Sequence, residues 1–425
     1  MKSKLHFLVL IQCGLILSAL LIRNGRLLLL AIPFLVYLIV GFIQAPEEIK
    51  LVADRTIDRT HANALELIKI SILIKNQGIT LVNLHLNDAL YPSMELVEGL
   101  PHKALTLTAG ETVEINYVFR AERGVYHWKT INACASDPFG LFDLQSELPA
   151  PGKVVVLPAP MRIYPKKLKP RFTLHTAGPI AARLAGSGTD FWSIREYRSG
   201  DPLRRINWRK TARHRRKNFT NEYEREEIAD FGLILDTRQL SNEEEMEAAL
   251  FEYSVSAIAS LSENFLREGN RVSLLILGKS IASVFPGYGK KQSHMILRSL
   301  AQVKLGDNMP LRSLEYFPVR LFPARSLIVI FSTVDSDDLA TYARLRASGY
   351  DVLLISPDPV DYAAQSLPPT NMNILASRAA RVERIIRLKR LMKLGIMVID
   401  WQVDKPLEPL INNAARPFVH RRGMQ

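Results

Sequence analysis

Two apolar runs at the N-terminus constrain this chain more than any other feature of its sequence. Residues 5–22 contain no formal charge over 18 positions, and residues 27–43 form a second run of 17. At about 1.5 Å per residue, each run approaches the thickness of a bilayer core when helical. Between them, Arg23-Asn24-Gly25-Arg26 suits a tight turn. We therefore expect a transmembrane helical hairpin within residues 1–46.

The alternative interpretation of this region is a cleaved signal peptide. The turn is a poor small-residue cleavage site and a second apolar run follows it at once, which favours the hairpin. Only Arg23 and Arg26 are basic in the turn, whereas five basic residues flank the outer ends of the hairpin. These are Lys2, Lys4, Lys50, Arg55 and Arg59. The bias predicts a two-pass protein of the cytoplasmic membrane whose body faces the cytoplasm.

The rest of the chain has the composition of folded, water-soluble domains. Of the 425 residues, 48% are apolar and 23% are charged, which suffices for two or three domains with cores. The two cysteines, Cys13 and Cys134, lie in different segments, so we expect no disulfide between them. The net charge of +13 favours an anionic partner, such as membrane headgroups, nucleic acid or an acidic protein.

Residues 47–157 have the pattern of antiparallel β-structure. Around residue 115 the apolar side chains alternate with polar ones, as in a half-buried strand. The alternating residues are Val113, Ile115, Tyr117 and Phe119. Glycines punctuate the segment at turn-like intervals. We predict a β-sandwich of immunoglobulin-like size.

Residues 229–405 alternate between strand-like and helix-like segments. This pattern predicts an α/β domain with a mostly parallel sheet covered on both faces. Ligands of such sheets bind at the carboxyl ends of the strands. Those ends carry Asp236-Thr237, Ser332-Thr333 and Ser356.

Residues 158–228 form a basic connector between the two predicted domains, and residues 406–425 form a basic tail. Within the connector, residues 195–217 hold ten lysines and arginines against Glu196 and Asp201. Asp201-Pro202 resembles a helix N-terminus. A short helix reaching about residue 213 would align Arg205, Arg209 and Arg213 on one face, which suits phosphates, carboxylates or headgroups. The alternative is that these arginines pair internally, as a clasp between the domains.

The connector also carries a family resemblance. Its motifs are Arg195-Glu196-Tyr197, Gly200-Asp201, Arg204, Ile206-Asn207-Trp208 and Ala212-Arg213. They resemble the signature of the domain-of-unknown-function-58 family, which usually has Asp at the position of Asn207 and Ser at the position of Thr211. The turn Asp137-Pro138-Phe139-Gly140-Leu141-Phe142 also resembles the β-domain of that family.

The resemblance implies a von Willebrand factor A-like C-terminal domain and association with MoxR-type AAA+ ATPases. Domains of that fold often bind Mg²⁺ through Asp-x-Ser-x-Ser. The matching stretch here is Asp236-Thr237-Arg238-Gln239-Leu240. Arg238 adds positive charge and Leu240 offers no oxygen ligand. We expect a degenerate site at Asp236 and Thr237 that holds no metal, and no cofactor.

The nine histidines are scattered and match no zinc motif, and the sequence lacks nucleophile-elbow, dinucleotide-binding and Walker A signatures. The leading hypothesis is a membrane-anchored, non-enzymatic scaffold or adaptor. The alternatives are an anion-binding module and an envelope enzyme using Glu196 and Asp201. Nucleic acid is a weaker candidate ligand, because the basic run around Trp208 lacks the repeated stacking residues of single-strand binders.

Overall fold

The structure, a computed structural model, describes residues 2–163, 168, 180–214, 217–238, 244–278, 281–306, 321–335, 338–368 and 370–414. The chain divides into two units, residues 1–157 and 158–425. Residues 415–425 of the expected basic tail lie outside the described part.

The two N-terminal apolar runs form the helices α1 (Lys2–Ile22) and α2 (Gly25–Ile43). Arg23 turns the chain with a φ of 52°, and the Asn24 side chain accepts the Arg26 N–H at 3.1 Å to cap α2. Within each helix, only 11% of the most apolar window is buried. Because these helices are long, apolar and largely uncovered, they are compatible with a two-pass membrane protein.

The rest of the first unit is a β-rich domain. Its nine strands are β1 (Leu51–Ile57), β2 (His61–Asn63), β3 (Ile68–Asn76), β4 (Leu81–Asn87), β5 (Met94–Gly99), β6 (His102–Leu107), β7 (Thr112–Ala121), β8 (Gly124–Ser136) and β9 (Asp143–Leu157). They form one sheet of order β1-β3-β7-β5 and another of order β2-β9-β8-β4-β6. Side chains of both sheets share one buried apolar cluster. All pairs are antiparallel except β2–β9.

Arg55 lies inside this domain. Its guanidinium pairs with Asp88, donates to the Ala150 carbonyl at 2.6 Å and lies 5.4 Å from the centre of the Trp128 ring. Tyr117 donates its hydroxyl proton to the second Asp88 oxygen at 2.6 Å. Arg55 is therefore a buried, paired charge of the β-domain. Although it was counted among the basic residues that flank the hairpin, it adds no exposed charge there.

The turn between β8 and β9 packs against the end of α2. Asp137 is fully buried, and its carboxylate accepts the N–H groups of Phe139, Leu141 and Phe142 at 2.7–2.9 Å. These hydrogen bonds fix the turn so that Phe139 packs against Tyr37, with ring centres 4.3 Å apart. A Cβ added to Gly41 would lie 3.1 Å from Leu141 Cδ1. The last two turns of α2 are therefore shaped to fit this turn of the β-domain.

We expect Gly41→Leu to displace the turn from α2, because overpacking typically costs about 1–3 kcal/mol. Amide exchange at residues 139–142 of the full-length protein should accelerate at least tenfold. Gly14→Leu in α1 is the matched control, since no atom lies within 4 Å of the position of its new Cβ. Equal exchange rates in the two variants would contradict this packing.

The second unit contains a β-hairpin followed by an α/β fold. Its strands are β10 (Ile180–Glu196), β11 (Phe219–Glu227), β12 (Asp230–Asp236), β13 (Arg271–Leu277), β14 (Ile281–Gly287), β15 (Leu327–Phe331), β16 (Asp351–Pro357) and β17 (Met397–Trp401). Its helices are α3 (Trp208–Thr211), α4 (Glu244–Arg267), α5 (Gly289–Gln302), α6 (Leu339–Ala347), α7 (Pro359–Ser366), α8 (Asn371–Lys393) and α9 (Leu407–Ala414).

Strands β12–β17 form a six-stranded sheet of order β14-β13-β12-β15-β16-β17. Every neighbouring pair is parallel except β13–β14. The strands are nearly continuous apolar runs, as expected of strands covered on both faces. This confirms the predicted α/β region with a mostly parallel sheet. The sheet order reverses direction between β12 and β15, which is the position where open α/β sheets usually bind ligands.

Candidate functional site

Polar side chains converge at the carboxyl ends of β12 and β15. Asp236 ends β12, and Ser332 follows β15 and donates its hydroxyl proton to Asp236 Oδ2 at 2.7 Å. Thr237 is buried, but its hydroxyl donates to the Leu277 carbonyl of β13 at 3.0 Å. Asp236 therefore faces this edge of the sheet, whereas Thr237 is used to hold β13.

A buried guanidinium lies between two carboxylates at this edge. Arg238 donates from Nε and Nη2 to Asp236 Oδ1 and Oδ2 at 2.8 and 2.7 Å. It also donates from Nη1 and Nη2 to Asp338 Oδ1 and Oδ2 at 3.0 and 2.7 Å. All three side chains are at most 4% exposed. This network, Asp236–Arg238–Asp338, joins β12 to the start of α6.

The residues at this edge do not suit a divalent cation. The guanidinium already uses both oxygens of both carboxylates, and its positive charge would repel Mg²⁺. Among the described residues, no group of three His, Cys, Asp or Glu side chains could hold a metal. At Asp236, where the family resemblance implied a degenerate metal site, Arg238 supplies the positive charge.

Burial and pairing act in opposite directions on the pKa of the Asp338 carboxyl. Burial raises the pKa of the Asp338 carboxyl, while hydrogen bonds from Arg238 oppose that rise. The hydroxyl of Tyr342 is fully buried, and burial raises its pKa well above its usual range, so it stays neutral. Arg238 is therefore the charge that keeps both aspartates compatible with the interior.

A second buried arginine closes the adjacent part of the same edge. Arg384 of α8 pairs with Asp400 at 2.6 Å and with Asp358 at 3.3 Å. It also donates to Ser356 Oγ and to the Pro357 carbonyl at 3.1 and 3.0 Å. Ser356, a predicted strand-end residue, is therefore bound by protein groups.

Sequence patterns did not single out Asp338 and Arg384 as site residues. A signal exists for each. Asp338 ends an acidic run that directly follows the strand-end residues of β15. Arg384 has the spacing of Leu388 and Leu391 on the buried face of α8, where an arginine needs an internal partner.

Removing Arg238 should destabilise the sheet edge. Arg238→Met leaves two buried carboxylates without a counter-charge, at a cost of about 3–5 kcal/mol. In the full-length protein we expect a lower melting temperature and faster amide exchange in β12 and β15. The exposed control Arg209→Met should change neither. Adding Asp236→Asn and Asp338→Asn to Arg238→Met should restore most of the protection. If Arg238→Met alone left the melting temperature and the amide exchange rates unchanged, this role of Arg238 would be contradicted.

The connector is organised around an ion pair of Arg195. β10 and β11 pair in antiparallel fashion with Arg195 opposite Thr220. Arg195 donates to both Asp201 oxygens at 2.7 Å and to Glu222 at 2.7 Å. Glu196 pairs separately with Lys217. These ion pairs all lie within the connector. Asp201 takes part in them and does not cap a helix.

The predicted helix with an arginine stripe is wrong. Residues 203–205 form a single 3₁₀ turn, and α3 spans only four residues. Between them, Ile206 bridges to Thr220 and the Asn207 N–H donates to the Phe219 carbonyl at 2.8 Å, so β11 holds this part extended. Arg205, Arg209 and Arg213 therefore do not share one helical face. Arg205 is also half-buried, unlike the other two.

Several signature residues have a structural role in the connector. Gly200 has a φ of 105°, which favours glycine, and Tyr197 donates its hydroxyl proton to the Asp201 carbonyl at 3.2 Å. The Asn207 side chain accepts the Lys210 N–H and donates to Asn221 Oδ1. Thr211 accepts the Phe219 N–H through its hydroxyl, as Ser would.

The remaining signature residues are exposed. Arg204, Trp208 and Arg213 all lie on the surface, and Trp208 is 69% exposed. Leu203 is also 69% exposed. Within the described residues, no carboxylate pairs with Arg204, Arg209 or Arg213. We call the surface formed by Leu203, Arg204, Trp208, Arg209 and Arg213 the Trp208 surface.

Asp201 should remain ionised at unusually low pH. Hydrogen bonds from Arg195 and from the Arg198 N–H lower the pKa of its carboxyl to about 2. Its contribution to folding stability is therefore complete above the unfolded pKa of 3.8 and is lost as pH falls through about 2. The Asp201 carboxyl carbon shift, followed by NMR against pH, should report this value. Arg195→Gln should return it towards 3.8, and an ordinary pKa in both proteins would contradict the pairing.

Comparison with known proteins agrees with the family resemblance. Residues 193–384 match the family described as protein of unknown function DUF58. The chain carries a DUF58 region. This DUF58 region begins two residues before Arg195 and ends at Arg384, so it includes residues 193–228 of the connector, the Trp208 surface and Arg238 with its two partners. No curated protein matches the sequence.

The similar solved structures cover about a quarter of the chain each. The CARDB domain of the PF1109 protein from Pyrococcus furiosus, in complex with di-metal ions, is 18% identical and covers 27% of this chain and 92% of its own, with a TM-score of 0.19. The cupredoxin domain of amoB from Nitrosocaldus yellowstonii is 14% identical and covers 27% and 89%, also with a TM-score of 0.19. TM-scores this low support no argument about fold or function.

Proposed function

We propose that this chain is a membrane-anchored, non-enzymatic adaptor that binds a MoxR-type AAA+ ATPase through the Trp208 surface. The observation that carries the proposal is the exposure of Leu203 and Trp208 in the part of the connector that follows the Arg195–Asp201–Glu222 ion pairs and is held by β11. A large apolar side chain held in water by an ordered loop is costly, and contact with a partner relieves that cost.

The chemistry of this surface fits a protein partner. Trp and Arg are the residues most enriched among energetically dominant interface contacts. Arg204, Arg209 and Arg213 surround Trp208 in the sequence and lack carboxylate partners within the described chain. They are free to pair with carboxylates of a partner. Trp208 would supply the apolar anchor, and the arginines would orient the partner on this surface.

The proposal of a non-enzymatic role rests on how the acidic residues are used. Asp236 and Asp338 are held by Arg238, and the Asp201 carboxyl, with a pKa of about 2, is a poor general acid or base near neutral pH. The sheet order and the helices between the strands support a von Willebrand factor A-like domain. In this domain the usual ligand edge is closed by internal ion pairs.

We further propose that the protein resides in the cytoplasmic membrane with its body in the cytoplasm. Lys50 and Arg59 follow α2 in the chain and are exposed, although each pairs with a nearby carboxylate, and their basic side chains support this orientation. A cytoplasmic body would also place the Trp208 surface where a soluble ATPase can reach it.

Affinity capture of the detergent-solubilised full-length protein from its native membrane tests the adaptor. Mass spectrometry should identify a MoxR-type ATPase with wild type, reduced at least tenfold by Trp208→Ala/Arg209→Glu. The matched control is Phe285→Ala/Arg298→Glu, because Phe285 is 70% exposed and Arg298 lies on the surface of α5. The proposal would be contradicted if the wild-type protein captured no such ATPase, or if the two double variants lost it equally.

The exposed arginines also favour a second candidate function, the binding of anionic headgroups. In that case the body should float with anionic lipid vesicles, its binding should fall steeply as salt rises, and Arg209→Glu should weaken it while Trp208→Ala does not. If binding instead depends on both Arg209 and Trp208 and changes little with salt, the protein partner is favoured.

A further inference from the structure

Helix α8 exposes apolar residues along the side that faces away from the domain core. Its buried side chains, Arg384, Leu388 and Leu391, lie on one face and contact the sheet edge and the apolar core. At about 100° per residue, a second set of residues lies on the opposite side of the helix. This set is Met372, Leu375, Ala379, Val382 and Ile386, which we call the α8 stripe.

The α8 stripe has the spacing of a coiled-coil seam. Its members follow one another at intervals of three, four, three and four residues, the heptad pattern in which one helix packs against another. Met372 and Leu375 are 75% and 65% exposed, and Val382 and Ile386 are 57% and 47% exposed. The stripe is thus an apolar seam about two heptads long, with exposed Ile374 and Ile385 to one side of it and without a partner among the described residues.

The continuation of the stripe is basic. Lys389 and Lys393 take the next two positions of the heptad pattern, and Arg378 and Arg390 lie beside it. All four are exposed and form no ion pair within the described residues. By contrast, Arg381 pairs with Asp361 and Arg387 with Glu383. The stripe therefore combines an apolar seam with unpaired positive charge.

We propose that the α8 stripe is a docking site for an acidic amphipathic helix of a protein partner. Apolar side chains of that helix pack between Met372, Leu375, Val382 and Ile386, and its carboxylates pair with Lys389 and Lys393. The site is separate from the Trp208 surface, so it can be tested independently of the proposed adaptor contact.

The charges and the shape of the stripe favour this occupant over two others. A second copy of α8 supplies one carboxylate, Glu383, which already pairs with Arg387. A parallel pair opposes lysine to lysine, and an antiparallel pair opposes lysine to Met372 and Leu375. A membrane surface suits an apolar face anchored by Trp or Phe, whereas α8 has no aromatic residue and carries Arg378 among its exposed aliphatic side chains.

The test uses full-length protein in nanodiscs of neutral lipid and a fluorescent synthetic helix of about three heptads. The probe carries Leu at positions a and d and Glu at e and g, and a matched probe carries Lys at e and g. Anisotropy should show binding of the acidic probe only. Leu375→Glu/Val382→Glu should weaken it at least tenfold. Met392→Glu is the control, since Met392 is 48% exposed on α8 but off the stripe.

Circular dichroism and the melting temperature establish that the stripe variant folds, and Leu375→Ser/Val382→Ser offers a milder second variant. Equal binding of the acidic and basic probes, or equal loss in the Met392→Glu control, overturns the proposal. Stripe-dependent self-association overturns it in favour of a second copy. Stripe-dependent binding to anionic vesicles without binding of the acidic probe overturns it in favour of a membrane surface.

Discussion

The guanidinium of Arg238, buried between two carboxylates, is the interaction on which the rest of the second unit depends. Burying a charge is costly, and bidentate pairing on both sides is what offsets that cost here. The pairing links the end of β12 to the start of α6 across the point where the sheet order reverses. Arg384 of α8 likewise pairs with Asp400 of β17 and donates to the Pro357 carbonyl at the end of β16. At the edge where open α/β sheets usually bind ligands, a cavity of about 30 Å³ remains beside Asp236, Arg238 and Ser332, and the carboxylates there are paired within the chain.

With that edge closed, exposed chemistry is concentrated elsewhere. The connector uses Arg195, Asp201, Tyr197 and Gly200 to fix its own shape, and this leaves Trp208 with its neighbouring arginines on the surface. The α8 stripe is a second exposed region, on the side of α8 opposite Arg384. Both regions combine apolar side chains with positive charge, a composition suited to protein contacts.

Local patterns in the sequence predicted much of the fold, because hydrophobic periodicity reflects local geometry. The hairpin helices, the β-rich region and the strand-end residues Asp236 and Ser332 followed from such patterns. Contacts between distant residues did not. The Arg205–Arg213 stripe failed because β11 bridges to Ile206, and the place of Arg55 in the β-domain depends on Asp88. Asp338, 100 residues beyond Arg238, could be matched to it only once the sheet had brought them together.

The most direct test of this account is site-specific photocrosslinking of the full-length protein to a purified MoxR-type ATPase. A photoreactive residue would replace Leu203, Trp208, Thr333 or Phe285, one at a time. The account predicts crosslinks from position 203 in the Trp208 surface, with fewer from position 208, where the anchor itself is replaced. It predicts none from Thr333 at the closed sheet edge or from Phe285. Crosslinks confined to position 333 would contradict the account, because they would place the partner at the edge that Arg238 and Arg384 close.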